Sequence, residues 1–176
     1  MKNVVLIGFM GTGKTSTGRI LASKLGYAFT DLDQRIEAEA KMTIKDMFAK
    51  YGEEHFRACE KAMVVKAAAK RNMVISTGGG TVKNPENIAE LRKNGSIICL
   101  TADIDTILDR TGRRGKRPVL DQADHGNRRA AVQALLEERQ ALYANADYTV
   151  DTSKRSPLQV TEEILHFLRR EGAVHA

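Results

Sequence analysis

Residues 8–15 read G-F-M-G-T-G-K-T, between an apolar run from Val4 to Gly8 and a stretch of helical hydrophobic spacing from Lys14 to Leu25. A complete G-x-x-x-x-G-K-[ST] between a strand and a helix constrains the fold more than any other feature, because the motif works only in that setting. Gly8, Gly11 and Gly13 permit backbone conformations and close approaches that a Cβ would obstruct, so successive N–H groups can turn toward phosphate oxygens. Lys14 can then reach the β/γ-phosphates and Thr15 can offer its hydroxyl to Mg²⁺, while the following helix adds its positive N-terminal end. The alternative is a glycine-rich turn that binds nothing. The loop by itself indicates a nucleoside triphosphate and is shared by motors, switches and kinases.

Beyond the loop the hydrophobic period alternates between strand-like and helix-like, the pattern of βαβ units around a parallel sheet. Five short apolar runs are expected as strands buried on both faces: Val4–Gly8, Tyr27–Thr30, Val74–Thr77, Ile97–Thr101 and Tyr148–Val150. Helices are expected at Lys14–Leu25, Asp33–Glu39, Ile44–Lys50, Glu54–Arg71, Pro85–Lys93, Ile104–Arg110, Asn127–Tyr143 and Pro157–Arg170. Thr43 is a candidate N-cap, and Pro85 and Pro157 suit first-turn positions. The chain of 176 residues, 42% of them hydrophobic, is expected to form a single α/β domain. Thr111 to Gly126 lacks a hydrophobic period and is expected to be a mobile lid, and Glu171 to Ala176 a frayed tail.

No apolar run approaches the roughly 18 residues of a membrane span, and the N-terminal M-K-N-V-V-L-I-G enters a strand with no signal-peptide cleavage site. A cytoplasmic protein is expected. Cys59 and Cys99 form no C-x-x-C pair and read as reduced core thiols. Lys and Arg number 28 against 22 Asp and Glu, for a net charge of +6, which suits either nucleic acid or anionic small molecules. With 5 Phe, 4 Tyr and no Trp there is no aromatic platform beside the basic run R-T-G-R-R-G-K-R at 110–117, which argues against nucleic acid.

Several side chains beyond the loop carry chemistry. Asp31 and Asp33 sit where the second strand ends, two apart on an extended backbone and so facing one side, at the carboxyl edge where open α/β sheets bind ligands. Asp31 is expected near a metal through water and Asp33 on a substrate hydroxyl, although Asp33 could also cap the helix from Gln34. Arg57 and Glu60 lie three apart along the inward edge of one helix, whose core face is marked by Phe56, Met63, Val64 and Ala67. Arg139 falls inside the apolar stripe Val132, Leu135, Leu136, Leu142 and Tyr143. An arginine among core positions needs an anion, which is either a substrate carboxylate or a protein carboxylate in an internal salt bridge. Gly78-Gly79-Gly80 strips side chains from another strand's carboxyl end, where something must approach closely. Ser76 stands where many such proteins carry a metal-binding aspartate, and no Asp or Glu occurs between Glu60 and Glu86. The metal role therefore moves to Asp31. The basic run could close over the phosphates, with Arg117, held by Pro118, as the arginine that meets developing charge.

The loop, D-L-D at 31–33, G-E-E-H-F-R-A-C-E at 52–60, S-T-G-G-G at 76–80, R-P-V-L at 117–120 and E-R-Q-A-L-Y at 138–143 resemble, in order, the shikimate kinase family over nearly the whole chain. The resemblance implies a three-layer P-loop fold and ATP-dependent phosphorylation of the 3-hydroxyl of shikimate, with Mg²⁺ as cofactor and a monomeric enzyme free of nucleic-acid or membrane partners. It implies shikimate binding by Asp33, Arg57, Glu60, Gly78, Gly79, Gly80 and Arg139, within a helical region of about residues 32–61 and its surroundings. It further implies ATP binding by Gly11, Thr12, Gly13, Lys14, Thr15, Ser16, Arg110, Arg117, Arg155 and Pro157, catalysis by Lys14, Asp33 and Arg117, and metal binding by Thr15 and, through water, Asp31. Rival readings are another small-metabolite kinase, for gluconate or a nucleoside monophosphate, or a nucleotide-binding homologue without catalysis.

Overall fold

A computed structural model describes residues 2–112 and 128–175. The elements run β1 (Asn3–Gly8), α1 (Lys14–Leu25), β2 (Ala28–Asp31), α2 (Leu32–Ala40), α3 (Ile44–Tyr51), α4 (Glu53–Ala68), β3 (Met73–Ser76), a 3₁₀ turn (Thr81–Lys83), α5 (Pro85–Arg92), β4 (Gly95–Thr101), α6 (Ile104–Arg110), α7 (Arg128–Tyr143), β5 (Tyr148–Asp151) and α8 (Pro157–Arg170). The strands form one five-stranded sheet in the order β2-β3-β1-β4-β5, every neighbouring pair parallel.

The central strand shows why the sheet has two covered faces. All six residues of β1 are buried, and its alternating side chains feed two separate cores. Val5 and Ile7 join Leu32, Met47, Phe56, Val64, Ile75 and Ile97 on one face. Val4 and Leu6 join Leu21 of α1 and Val160, Ile164 and Leu168 of α8 on the other. Polar signals set the helix ends between these layers. Thr43 accepts from the Asp46 N–H at 3.1 Å, and Pro85 and Pro157 occupy first-turn positions after Asn84 and Ser156. Ser156 and Gln159 complete a reciprocal capping box.

Three expectations are corrected. The cap of α2 is Asp31, whose Oδ1 accepts from the Gln34 N–H at 3.1 Å, and Asp33 lies inside the first turn. The helix starts immediately after the strand, so the cap falls two residues earlier than expected. The tail does not fray through its length: Gly172, at φ 67°, turns the chain back so that Ala173 and Val174 are buried and the Ala173 carbonyl accepts from the Lys2 N–H at 3.2 Å. Cys99 is a buried free thiol as expected, but Cys59 is only half-buried, near His55. Of the expected lid, all but Thr111 and Gly112 lies outside the described residues.

Because all strands run the same way, their carboxyl ends share one edge. The order β2-β3-β1 then places three of them side by side: Asp31 pairs in register with Ser76, and Ser76 with Leu6, two residues before the phosphate loop begins.

Candidate active site

A cleft of about 880 Å³ runs along that edge. At its centre the loop is held open by backbone geometry. Gly11 and Gly13 have φ of 81° and 90°, and a Cβ on Gly11 would lie 2.8 Å from the Thr111 methyl. Lys14 is buried, its Nζ donating to the carbonyls of Gly8 at 2.7 Å and Phe9 at 3.0 Å, so the ammonium sits within the loop. Thr12 donates its hydroxyl to the Phe9 carbonyl at 2.8 Å. Gly11 to Ser16 all line the cleft, as do Arg110, Arg155 and Pro157. Arg110 donates to the Gly11 carbonyl at 3.3 Å and to the hydroxyl and carbonyl of Thr152, each at 3.0 Å. Arg155 is tied to the Asp151 carbonyl and to Glu163.

Asp31 serves two elements at once. Its Oδ1 caps α2, and its Oδ2 accepts from the Thr15 hydroxyl at 2.8 Å. These hard oxygens, clustered beside the loop's lysine, are the donor type that Mg²⁺ takes. Among the described residues no group of three or more His, Cys, Asp or Glu is placed to hold a metal ion, and β3 ends at Ser76. Asp33 is different in kind. Its Oδ1 is buried with no hydrogen-bond partner, and its carboxyl pKa is pushed up to about 7, first by burial and then by the charges of Asp31 and Glu60, against the pull of Lys14 and Arg57.

The three consecutive glycines each stand against a different charged group. A Cβ on Gly78 would lie 2.7 Å from Asp33 Oδ1, one on Gly79 would lie 3.5 Å from Arg139 Nη1, and one on Gly80 would lie 2.5 Å from Arg57 Nη2. Removing those side chains lets α2, α4 and α7 bring Asp33, Arg57 and Arg139 to one wall. Arg57 is held by carboxylates, with Nη1 on Glu60 at 3.0 Å and Nη2 on Glu53 at 3.2 Å. Glu60, 2% exposed, also accepts from the Thr81 hydroxyl at 3.0 Å. Arg139 is 1% exposed, yet its Nε and Nη1 have no hydrogen-bond partner, and no carboxylate among the described residues pairs with it. Its guanidinium lies 5.7 Å from the centre of the Phe9 ring. Such a contact contributes about 0.5–2 kcal/mol, whereas desolvating a charge costs several. A buried cation left this short of partners is configured for an anion that enters from outside. The salt bridge between the two helices weighed as the alternative is not formed among the described residues: Arg57 pairs with Glu53 and Glu60 of its own helix, and Arg139 with no carboxylate.

The match to known proteins covers nearly the same span as this architecture: a family model described as shikimate kinase fits residues 10–169. The chain belongs to the shikimate kinase family. Family relatives include the shikimate kinase of Thermoanaerobacter pseudethanolicus, 48% identical over 94% of this chain and 95% of its own length. That of Caldanaerobacter subterraneus subsp. tengcongensis is 47% identical over 98% of this chain and 99% of its own. Among solved structures, shikimate kinase from Acinetobacter baumannii in complex with shikimate superposes with a TM-score of 0.93 at 33% identity, covering 97% of this chain and 94% of that one. A sugar kinase from Janibacter sp. reaches 0.59 at 19% identity, a likeness of fold alone.

Against the family's expected site residues, the structure brings Gly11 to Ser16, Asp31, Asp33, Arg57, Glu60, Gly78, Gly79, Gly80, Arg110, Arg139, Arg155 and Pro157 to one cleft. Arg117 lies outside the described residues. Four contributors escaped sequence reasoning: Glu53 and Thr81, which complete the Arg57 network, Thr152, which joins the loop to β5, and Tyr143, whose hydroxyl donates to the Gly79 carbonyl at 2.6 Å. Glu53 had a signal in its helical spacing of four from Arg57. The others act across long separations that no local pattern carries.

Proposed function

We propose that this chain transfers the γ-phosphoryl group of ATP to the 3-hydroxyl of shikimate, giving shikimate 3-phosphate and ADP. The observation that carries this reading is the buried, unpaired Arg139 guanidinium on the same glycine wall as the Asp33 carboxylate and the Arg57 fork. An acceptor with a carboxylate at one end of a ring and an alcohol at the other satisfies all three. Arg57 and Arg139 receive the carboxylate, whose planar oxygens match a guanidinium fork. Gly78, Gly79 and Gly80 let the ring pack on bare backbone, and Glu60 orients Arg57. Asp33 accepts the hydrogen bond of the attacking hydroxyl, and with a pKa of about 7 it can take the proton as the new P–O bond forms.

On the nucleotide side, Gly11, Thr12, Gly13 and Ser16 cradle the phosphates, and Lys14 follows the charge on the transferred group. Arg110, Arg155 and Pro157 flank the base, and Arg117 joins Lys14 at the transferring phosphoryl. Thr15, with Asp31 through water, would hold Mg²⁺, which when bound neutralises charge between the β- and γ-phosphates. In this reading ATP and shikimate are the partners, and the protein works as a cytoplasmic monomer without nucleic acid or membrane. Among the described residues no helix is long and apolar enough to cross a membrane.

An ADP-release assay with Mg-ATP across shikimate, gluconate and AMP tests the assignment. Turnover with shikimate alone is expected. Robust turnover of gluconate or AMP with none of shikimate would overturn it.

A further inference from the structure

Arg139 and Tyr143 are one helical turn apart on α7, and both bear on Gly79. Tyr143 is 8% exposed, and its hydroxyl donates to the Gly79 carbonyl at 2.6 Å. The flanking carbonyls are already taken: Gly78 accepts from the Thr81 N–H at 3.2 Å and Gly80 from the Lys83 N–H at 3.1 Å. Gly79 thus depends on the phenol for its share of the turn's hydrogen bonding. A phenol has one proton to donate, so with that proton on Gly79 only lone pairs remain for the other side. Arg139 Nη1 lies 3.5 Å from the place a Cβ on Gly79 would take, so the guanidinium rests against the peptide that the phenol holds. Burial pushes the phenol pKa up to about 12, and the nearby Arg139 charge and hydrogen bonding offset part of the rise, so the hydroxyl stays neutral at working pH.

We propose that Tyr143 is a positioning residue for the acceptor site, fixing with its proton the Gly79 peptide against which the Arg139 guanidinium lies, and leaving that cation's charge uncancelled. The proposal rests on the shikimate reading above. A carboxylate in Tyr143's place could not donate to the Gly79 carbonyl, and it would neutralise the nearby cation and repel an anionic substrate. A neutral phenol holds the peptide without that loss. Because the group steadied is remote from the transferred phosphoryl, its contribution is the same in ground and transition states and should enter KM rather than kcat.

The test is Tyr143→Phe, which removes one oxygen and keeps the ring. Circular dichroism melting of both proteins sets an assay temperature at which both are folded, so lost stability is not read as lost binding. The KM for shikimate is expected to rise about tenfold, the scale of one buried hydrogen bond, with kcat changed less than about threefold and the KM for ATP unchanged. The preference for shikimate over its methyl ester, measured as a ratio of kcat/KM, is expected to shrink because the cation that reads the carboxylate is less well aimed. An unchanged shikimate KM, equal rises for both substrates, or an unchanged ester ratio in the folded variant would overturn the proposal. If the wild-type protein itself does not phosphorylate shikimate, the parent reading fails and this one with it. If only the variant's behaviour departs from expectation, the parent reading stands.

Discussion

Arg57 and Arg139 arrive at one glycine wall from different helices under opposite electrostatic conditions. Arg57, three-quarters buried, lies between Glu53 and Glu60, and Glu60 is in turn held by Thr81. Arg139 is almost wholly buried and has the ring of Phe9, the bare Gly79 backbone and no carboxylate among the described residues. The first guanidinium is part of the protein's internal ion pairing and is present at the site with its charge largely answered. The second carries stored electrostatic cost that a bound anion can relieve. A site built from one of each has a steady arm and an unsatisfied one, and substrate selectivity should reside mainly in the latter.

That contrast is broken most forcefully by Arg139→Ala. The kcat/KM for shikimate should fall on the order of 10³-fold, as when one partner of a buried charge pair is removed, while ATP binding measured by calorimetry stays near wild type. A fall of only a few-fold would place the substrate carboxylate elsewhere. Next come the paired substitutions Arg57→Met and Arg139→Met, read in urea unfolding. Removing Arg57 strands the buried Glu60 carboxylate and should cost about 2–4 kcal/mol. Removing Arg139 eliminates a lone buried cation and should be neutral or stabilising. Equal losses would mean that the two arginines are not different after all.

The smallest effect concerns Asp33, the third group on the wall. Its folded pKa of about 7 lies above the ordinary carboxyl value of 3.8, so the folded state holds this proton more tightly than the unfolded chain does. The contribution to stability is therefore greatest below about pH 4, declines through the interval up to about pH 7, and is flat above it. Asp33→Asn should raise the melting temperature by a few degrees near pH 8, and the gain should vanish toward about pH 4. A gain independent of pH would remove Asp33's proton as the cause. In the wild type, kcat/KM should show an acid limb governed by the same group.

The frame of the molecule was readable because its signals are local. α1, α6 and α8 begin and end where spacing and breakers place them: Gly13 and Gly26 bound the first, Asp103 caps the second and Ser156-Pro157 opens the third. Arg139 was equally legible, since a charge inside an apolar stripe is conspicuous without coordinates. Asp31 was half read: its place at the strand end facing the phosphate loop was foreseen, but its capping of α2 was not, Asp33 having been weighed as a possible cap, because the strand passes into the helix with no intervening loop. The tail misled for a different reason, since the six residues E-G-A-V-H-A are too few to carry a hydrophobic period and give no hint that a left-handed Gly172 will return Ala173 and Val174 to the core. Tyr143 was visible only as an apolar body. Its hydroxyl acts on Gly79, 64 residues away, and only the folded chain discloses such a partner.

Thr152 carries a last consequence. Its hydroxyl shares one proton between the carbonyls of Thr12 at 2.9 Å and Thr101 at 3.0 Å, and it receives Arg110 on its oxygen. During synthesis the glycine-rich segment at 8–15 leaves the ribosome well ahead of the hydroxyl that ties it down, which emerges some 140 residues later. A nascent chain therefore carries the recognisable motif long before it has a nucleotide site, and competence arrives only as the final strand joins the sheet edge.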